Sequence, residues 1–545
     1  MPFLGILEDK ALPHVPGTVI LDEAQAHSGD VTGNLKHGRG KNSHIVLVPQ
    51  PSDDPNDPLN WPQSKKILCM AIVGFGAMLY AGTIGPLTNA GLAVIAADFK
   101  TEIGAIVLDN GYQVLVVGGT GPIISALARK YGKRPCFLFS GLACLVGSIV
   151  GSTAKNEAAY LTARTVQGFA VTAYESLIFT IVGDLFFVHE RGLYISIGSF
   201  LLAGIANLCS IVTGPITNSL GWKYLFHFFI LFGGIQFLLQ LLFVPETQFR
   251  RDHRNDIDEL VEEDLAVSNK GATTTTIEKA GSPSPPSLPP RKTWREELAI
   301  FTGTYSTDSF LQLIIAPFAI CLNLAALWVI LVAAFFVGEY VIVAYVLAQL
   351  FSVPPYNLTA AGVGYLSLGP LIGGILASLT LALVSDPIIR WATRRNRGVY
   401  EPEYRLIPLL PAVAIGPALI GFGYVTQAGQ SLYGAAFLYG LAVFSIMFVL
   451  TQTNSYALDA YRGMSNEIFI ASMAAKNFLL FPYSYFINDY MAREGPVKVF
   501  TVFGGIGIGL LVTMPVVFVW GKRYRSFWAR HDLLEKFHIK THQEI

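Results

Sequence analysis

Charge is what this 545-residue chain has least of: Asp, Glu, Lys and Arg make up 14% of it. A soluble chain of ordinary composition carries about 25%. The deficit excludes a typical solvated surface, because a charge in hydrocarbon costs several kcal/mol whereas apolar side chains are welcome there. Acidic and basic residues balance at 38 each, so no bulk field points to nucleic acid. Cysteine is sparse. The five (Cys69, Cys136, Cys144, Cys209, Cys321) lie inside apolar runs, without metal-ligand spacing or a disulfide framework. No Walker-type lysine loop, HExxH, GxSxG or CxxC occurs, so ATP-driven pumping and the common hydrolase chemistries lack their residues. The start, "MPFLGILEDKALPHVPG", is too short and acidic for a signal peptide. No enzyme activity and no cofactor are expected.

What is abundant is apolar sequence, 52% of the chain with mean hydropathy +0.48. Runs of about 20 apolar residues cross a bilayer as helices, and open strand edges are not tolerated there. Twelve such runs lie near 66–88, 105–127, 135–153, 158–183, 193–217, 223–244, 317–345, 360–384, 406–426, 431–453, 466–489 and 498–520. They predict an all-α membrane protein. An N-terminal tail (1–65) leads to a six-helix bundle (66–245). A disordered linker (246–316) containing "TTTT" and "SPSPPSLPP" joins it to a second six-helix bundle (317–520), followed by a tail (521–545). Before the first run, Trp61 suits an interfacial anchor.

Loops on one side carry Arg129, Lys130, Lys133, Arg134, Arg390, Arg394, Arg395, Arg397 and Arg405, and the tail adds Lys522, Arg523 and Arg525. Opposite loops hold only Lys100, Lys155, Arg493 and Lys498. The positive-inside rule makes both termini cytoplasmic. The one glycosylation sequon, at Asn357, falls in a predicted outer loop close to the membrane. Two bundles and a linker are what a secondary transporter shows, with its substrate site between the halves. A non-transporting receptor on the same scaffold would show them too.

The polar residues inside the runs narrow the choice. The fourth run, "LTARTVQGFAVTAYESLIF", holds Arg164, Gln167 and Glu175. At about 100° per residue, Arg164 and Glu175 lie within about 20° of one face and roughly 16 Å apart along the axis, too far to bond. Arg164 either snorkels to the outer surface or serves function. Glu175 either pairs with another helix or faces a cavity, where it accepts a proton or a cationic substrate. Glu339 falls in the outer half of the seventh run beside Gly338, which permits a helix break; its alternative is an interfacial carboxylate. Lys476, some ten residues into the eleventh run, is either a buried counter-charge or a sign that the span starts later. Asp109 and Asp184 read as interfacial, and Asp386 and Arg390 as gate or loop contacts. "GGIGIG" at 504–509 imitates a nucleotide fingerprint but lies inside a span, where small residues mean close helix packing.

From about Asp53 to Arg525 the chain resembles a fungal major facilitator superfamily transporter. The resemblance rests on "DPNDPLNW", on "RTVQG" (Arg164, Gln167, Gly168), on "GDLFFVHERG", "GWKYLF" and "PET" (Pro245 to Thr247), and on "NRGVYEPEYRL" (396–406). The last is similar to a subgroup with yeast polyamine and organic-cation transporters and drug:proton antiporters. The resemblance implies the two-bundle fold of that superfamily, no enzyme activity, and proton coupling through Arg164, Gln167 and Gly168. Its cytoplasmic gate loop survives as Gly132, Lys133 and Arg134, while Arg129 replaces the aspartate and Ser125 the first glycine. The antiporter pattern of span five is degraded to Cys209-Ser210, Thr213-Gly214 and Pro215.

The function expected is alternating-access transport of a small organic molecule across the plasma membrane, or alternatively the vacuolar membrane. It is coupled to protons and exports a fungal metabolite or drug. Uptake of polyamines or other organic cations is the alternative, with Glu175, Glu339 and Lys476 as substrate-binding candidates. A nutrient receptor is the reading from another class; the short basic tail after Trp520 argues against it. The partners implied are the bilayer, the substrate and protons, with the protein a monomer.

Overall fold

The computed structural model describes residues 51–187 except Asp53, 205–249, 290–306, 309–396 and 399–531, with isolated positions elsewhere, including 3–7, 15–20, 194, 197–198 and 201–202. Residues 250–289, the core of the predicted linker, lie outside the described residues, as do Arg397 and the whole of "VHERG" after Phe187.

Ten described helices are long and apolar enough to cross a bilayer. The last runs 66 residues, Ser465–Arg530, and would measure about 100 Å if straight. It is interrupted at Gly495, whose φ of 78° favours glycine, and so supplies two spans, 465–494 and 496–530. Spans one to four are Gln63–Thr83, Ile103–Tyr131, Lys133–Thr153 and Glu157–Leu185. Span five is described as Ile205–Ser219 and span six is Lys223–Phe243. Spans seven to ten are Leu324–Phe351, Ala360–Arg395, Pro402–Gln427 and Leu432–Ala460. Spans one to six form one bundle and seven to twelve the other.

The predicted seventh run starts too early. Asn323 accepts hydrogen bonds from the amides of Ala325 and Ala326 at 3.0 and 3.2 Å and begins the span there. The apolar residues before it form a separate helix, Phe310–Ala319. With Thr293 and Glu296 making a capping box on Trp294–Glu297, the C-terminal part of the predicted linker is therefore ordered. That short helix is held to span one by Lys65–Glu297 at 2.6 Å. Trp61 is buried under the Lys65 ammonium, 4.0 Å from its ring centroid, instead of anchoring in lipid.

The seams between bundles are built from small residues. A methyl group added at Gly111, Gly118 or Gly121 of span two would meet Ser484, Asn477 or Met473 of span eleven within 3.0 Å. Gly214 of span five meets the Ala360 carbonyl of span eight in the same way, at 2.6 Å. In "GGIGIG", Gly504 faces Gly416 of span nine and Gly507 faces Glu339 of span seven, so the stripe packs helices.

The described residues among the first twenty pack on the second bundle. Strand β1 (Val19–Ile20) pairs antiparallel with β2 (Val399–Tyr400) before span nine. Thr18 donates to Glu401 at 2.8 Å, and the Leu7 amide to Val519 at 3.0 Å. Ile6 is buried among Ile389, Ala392, Tyr400 and Tyr404. Beneath this strap Arg525 donates to the Pro16 carbonyl, to Glu401 at 3.0 Å and to Glu403 at 2.8 Å.

Candidate functional site

The chain of span four begins with Asn156, whose side chain accepts from Ala159 at 3.0 Å and starts the helix. Two turns on, Arg164 is completely buried. It does not snorkel. Its Nε donates to Asn110 Oδ1 of span two at 2.7 Å and one terminal nitrogen to Gln167 Oε1 at 2.9 Å. The other reaches the carbonyls of Ile84 and Gly85 at 3.0 and 3.2 Å. Those carbonyls are free because span one unwinds after Thr83. A buried guanidinium is tolerable only with such bonds, each worth about 1.5–3 kcal/mol to a charged group. Tyr160 closes the cluster, its hydroxyl 2.9 Å from Asn110 Oδ1 and 3.0 Å from Thr88. Gln167 donates onward to Ser148 of span three at 3.2 Å. Gly168 is required by contact: a Cβ there would lie 2.7 Å from the Gln113 carbonyl of span two. The three residues of the motif thus knit spans one to four around a single charge.

Asp109, expected at the interface, is buried seven residues into span two, and its Oδ2 has no hydrogen-bond partner. Asn110 was not picked out from the sequence. An Asp-Asn pair inside an apolar run is the signal that could have found both.

Further along span four, Glu175 forms an ion pair with Lys476 of span eleven. This pair crosses the seam between bundles, and both side chains are partly accessible, at 14% and 26%. Span eleven starts at Ser465, so Lys476 lies well inside it and is a counter-charge, not a mark of a later start. Around the pair, Thr172 and Thr120 hydroxyls sit 2.9 Å apart, and Phe179 packs near Phe469. Arg164 and Glu175 do not meet, as helix geometry requires.

Glu339 is not in the outer half of its span but near its middle, since the helix runs 324–351. Nor does the helix break at Gly338, which instead receives the Tyr483 ring. Glu339 is 1% exposed, faces Gly507 within the second bundle, and neither carboxyl oxygen has a hydrogen-bond partner. Tyr483 is two turns, about 10 Å, from Lys476 along span eleven, so Glu339 does not join the seam pair. At the end of the seam away from the basic loops, spans five, seven, eight and ten and the segment after span one leave a cavity of about 20 Å³ beside Asn207, Tyr340 and Tyr439. That is room for a water, not for an organic substrate.

The basic end has its own network. Gly132 (φ 101°) turns the chain between spans two and three, and a Cβ there would meet Glu246 at 2.3 Å. Glu246, the acid of "PET", accepts from the amides of Lys133 and Arg134 at 2.9 and 3.0 Å and so caps span three. Arg134 bonds the carbonyls of Leu241 and Val244 that end span six. Lys133 pairs with Asp184 at the end of span four. Arg129, standing where the resemblance expects an acid, pairs at 3.2 Å with Glu467 at the start of span eleven, across the seam. Nothing local in the sequence links those two positions. Asp386 is 71% exposed and lies 3.9 Å from Arg405, a loop contact, while Arg390 points outward. At the other end Asn357 is exposed in a left-handed turn (φ 48°), and Thr359 of its sequon caps span eight.

Comparison with known proteins finds similar chains described as transporters. A Schizosaccharomyces pombe protein described as an uncharacterised MFS-type transporter is 24% identical over 96% of this chain and 94% of its own. Protein HOL1 of Saccharomyces cerevisiae is 24% identical over 97% of this chain and 98% of its own. The MFS-type transporter hepF of Aspergillus oryzae is 24% identical over 82% and 86%. Among solved structures, the xylose transporter XylE of E. coli superposes with a TM-score of 0.55 at 11% identity, covering 82% of this chain and 98% of that one, a likeness of fold. The sequence profile described as Major Facilitator Superfamily matches residues 67–478, from the first span into the eleventh, and the chain therefore belongs to that superfamily of transporters.

Proposed function

We propose that the protein is a proton-coupled secondary transporter that moves a small organic cation across the plasma membrane by alternating access, with its basic face and both termini cytoplasmic. The observation that carries this reading is the Glu175–Lys476 pair: one acid and one base from opposite bundles, partly accessible, at the only level of span four where a carboxylate meets the seam. A carboxylate held by a lysine across a moving seam has two exchangeable alternatives. A substrate ammonium takes the place of Lys476, or a proton neutralises Glu175; each releases one bundle from the other. Arg164 holds spans one, two and four together on the outer side, so rearrangement of span one is felt at the same helix.

The test is uptake and efflux of radiolabelled spermidine in cells with and without the protein, with and without a protonophore, repeated with Glu175→Gln. Accumulation that the protonophore and Glu175→Gln both abolish, at unchanged surface expression, supports the reading. Wild-type flux and pH dependence in the variant would refute it.

A further inference from the structure

Span eight carries a continuous outward face. Ile372, Leu376, Leu379 and Leu383 lie on it at helical spacing and are exposed, Leu383 at 74%. Such a face contacts lipid tails. In the same three- and four-residue steps it continues as Pro387, Arg390, Trp391, Arg394 and Arg395, all exposed. Arg390 lies about 10 Å beyond Leu383 along the axis and Arg394 about 16 Å. Headgroup regions occupy roughly 5–8 Å on each side of the hydrocarbon core. The apolar face hands over to arginine and tryptophan at and beyond the edge of the hydrocarbon core, from where long guanidinium side chains reach back to the headgroups.

These five side chains line a shallow, open recess on one face of the helix, of about 660 Å³. The guanidinium of Arg395 sits 5.7 Å from the Trp391 ring centroid. Among the described residues, no carboxylate lies within ion-pair distance of Arg390, Arg394 or Arg395. Arg390 donates only to its own helix, at the Asp386 carbonyl, while the Asp386 carboxylate lies toward Arg405. Arg394 and Arg395 answer the carbonyl end of the helix. Arg390, a turn earlier, and Trp391 have no such duty. Three guanidinium groups without a carboxylate partner among the described residues, beside a lipid-facing stripe, are complementary to an anionic headgroup.

We propose that the inner end of span eight is a binding site for an anionic phospholipid of the leaflet that meets the basic face. The phosphate of the headgroup is held by Arg390, Arg394 and Arg395, and Trp391 packs on the glycerol region. That this leaflet is the cytoplasmic one rests on the orientation proposed above; the site itself does not. Each basic residue near an anionic surface contributes about 1 kcal/mol, or about fivefold in affinity.

The full-length protein, purified in neutral detergent, is titrated with phosphatidylinositol 4-phosphate and with phosphatidylcholine and read by native mass spectrometry. The wild type is expected to retain the anionic lipid selectively. Arg390→Gln/Arg394→Gln/Arg395→Gln, on an exposed face, is expected to lose about a hundredfold in affinity at an unchanged melting midpoint, and Lys155→Gln at the opposite end nothing. Equal retention of both lipids, or equal anionic binding by the triple variant, would overturn the proposal. So would selective binding that emerges only after deletion of residues 250–289, since the acidic segment "DIDELVEED" would then be the occupant. No transport is measured, so failure here is separate from failure of the functional reading.

Discussion

Reversing the charge at Arg129 should open the basic face. The Arg129–Glu467 pair is 3.2 Å long, with side chains 9% and 1% exposed, and it joins spans two and eleven across the seam. Breaking a buried pair while leaving one charge behind costs about 3–5 kcal/mol. The pair exists only while the bundles meet at this end, so that cost falls on the closed arrangement alone. At about 3 kcal/mol the ratio of open to closed molecules rises about a hundredfold. The reporter is Met473→Cys, which sits two turns inward of Glu467 against Gly121 on the seam. The native cysteines among the first bundle's spans are buried and stay silent. In inside-out vesicles a membrane-impermeant maleimide should label this cysteine far faster in Arg129→Glu, and in the milder Arg129→Gln, than in the parent. Arg129→Glu/Glu467→Arg should restore slow labelling. If the single variants label no faster, or the double labels as fast as the singles, the pair does not hold the seam and the reasoning fails.

The opposite end offers a mirror test: Gly214→Leu collides with the Ala360 carbonyl 2.6 Å from its Cβ, and should raise labelling of a seam cysteine from outside intact cells. Arg164→Lys keeps the charge but cannot reach Asn110, Gln167 and two carbonyls together; proton-driven accumulation should fall more than exchange of substrate, and an equal fall would count against coupling. Gly507→Ala brings a methyl to 2.6 Å from a Glu339 oxygen and should lower stability by about 1–3 kcal/mol, seen as a lower melting midpoint in detergent. Glu403→Gln removes one charge from beneath Arg525 and should lower the same midpoint by a comparable or larger step, with Glu401 left to share the guanidinium.

Spans were readable because lipid imposes a rule that every stretch of about 20 apolar residues obeys. The seventh failed at its start because two apolar helices abut; Asn323 before "LAAL" is a cap signal that hydropathy does not register. That shift alone moved Glu339 from the outer half to the middle. Depth within one helix was legible for Arg164 and Glu175, and so was their inability to bond. Their partners were not. Lys476 is separated from Glu175 by 301 positions, and Glu467 from Arg129 by 338, so only the packing of the bundles creates those pairs. Two of the four partners of Arg164 are the backbone carbonyls of Ile84 and Gly85, which carry no sequence signal; the unwinding of span one after Thr83 made them available.

The strap formed by β1 and the described residues before it closes the polypeptide into a ring. The first bundle reaches the second through the linker after span six, and again through β1, which lies upstream of span one yet pairs with β2 ahead of span nine. A protease cut within residues 250–289 therefore leaves β1 and the Arg525 contacts as a second tether beside the packed seam. Halves ending at 249 and starting at 290, co-expressed, should co-purify when the first carries residues 1–20 and separate more readily when it does not.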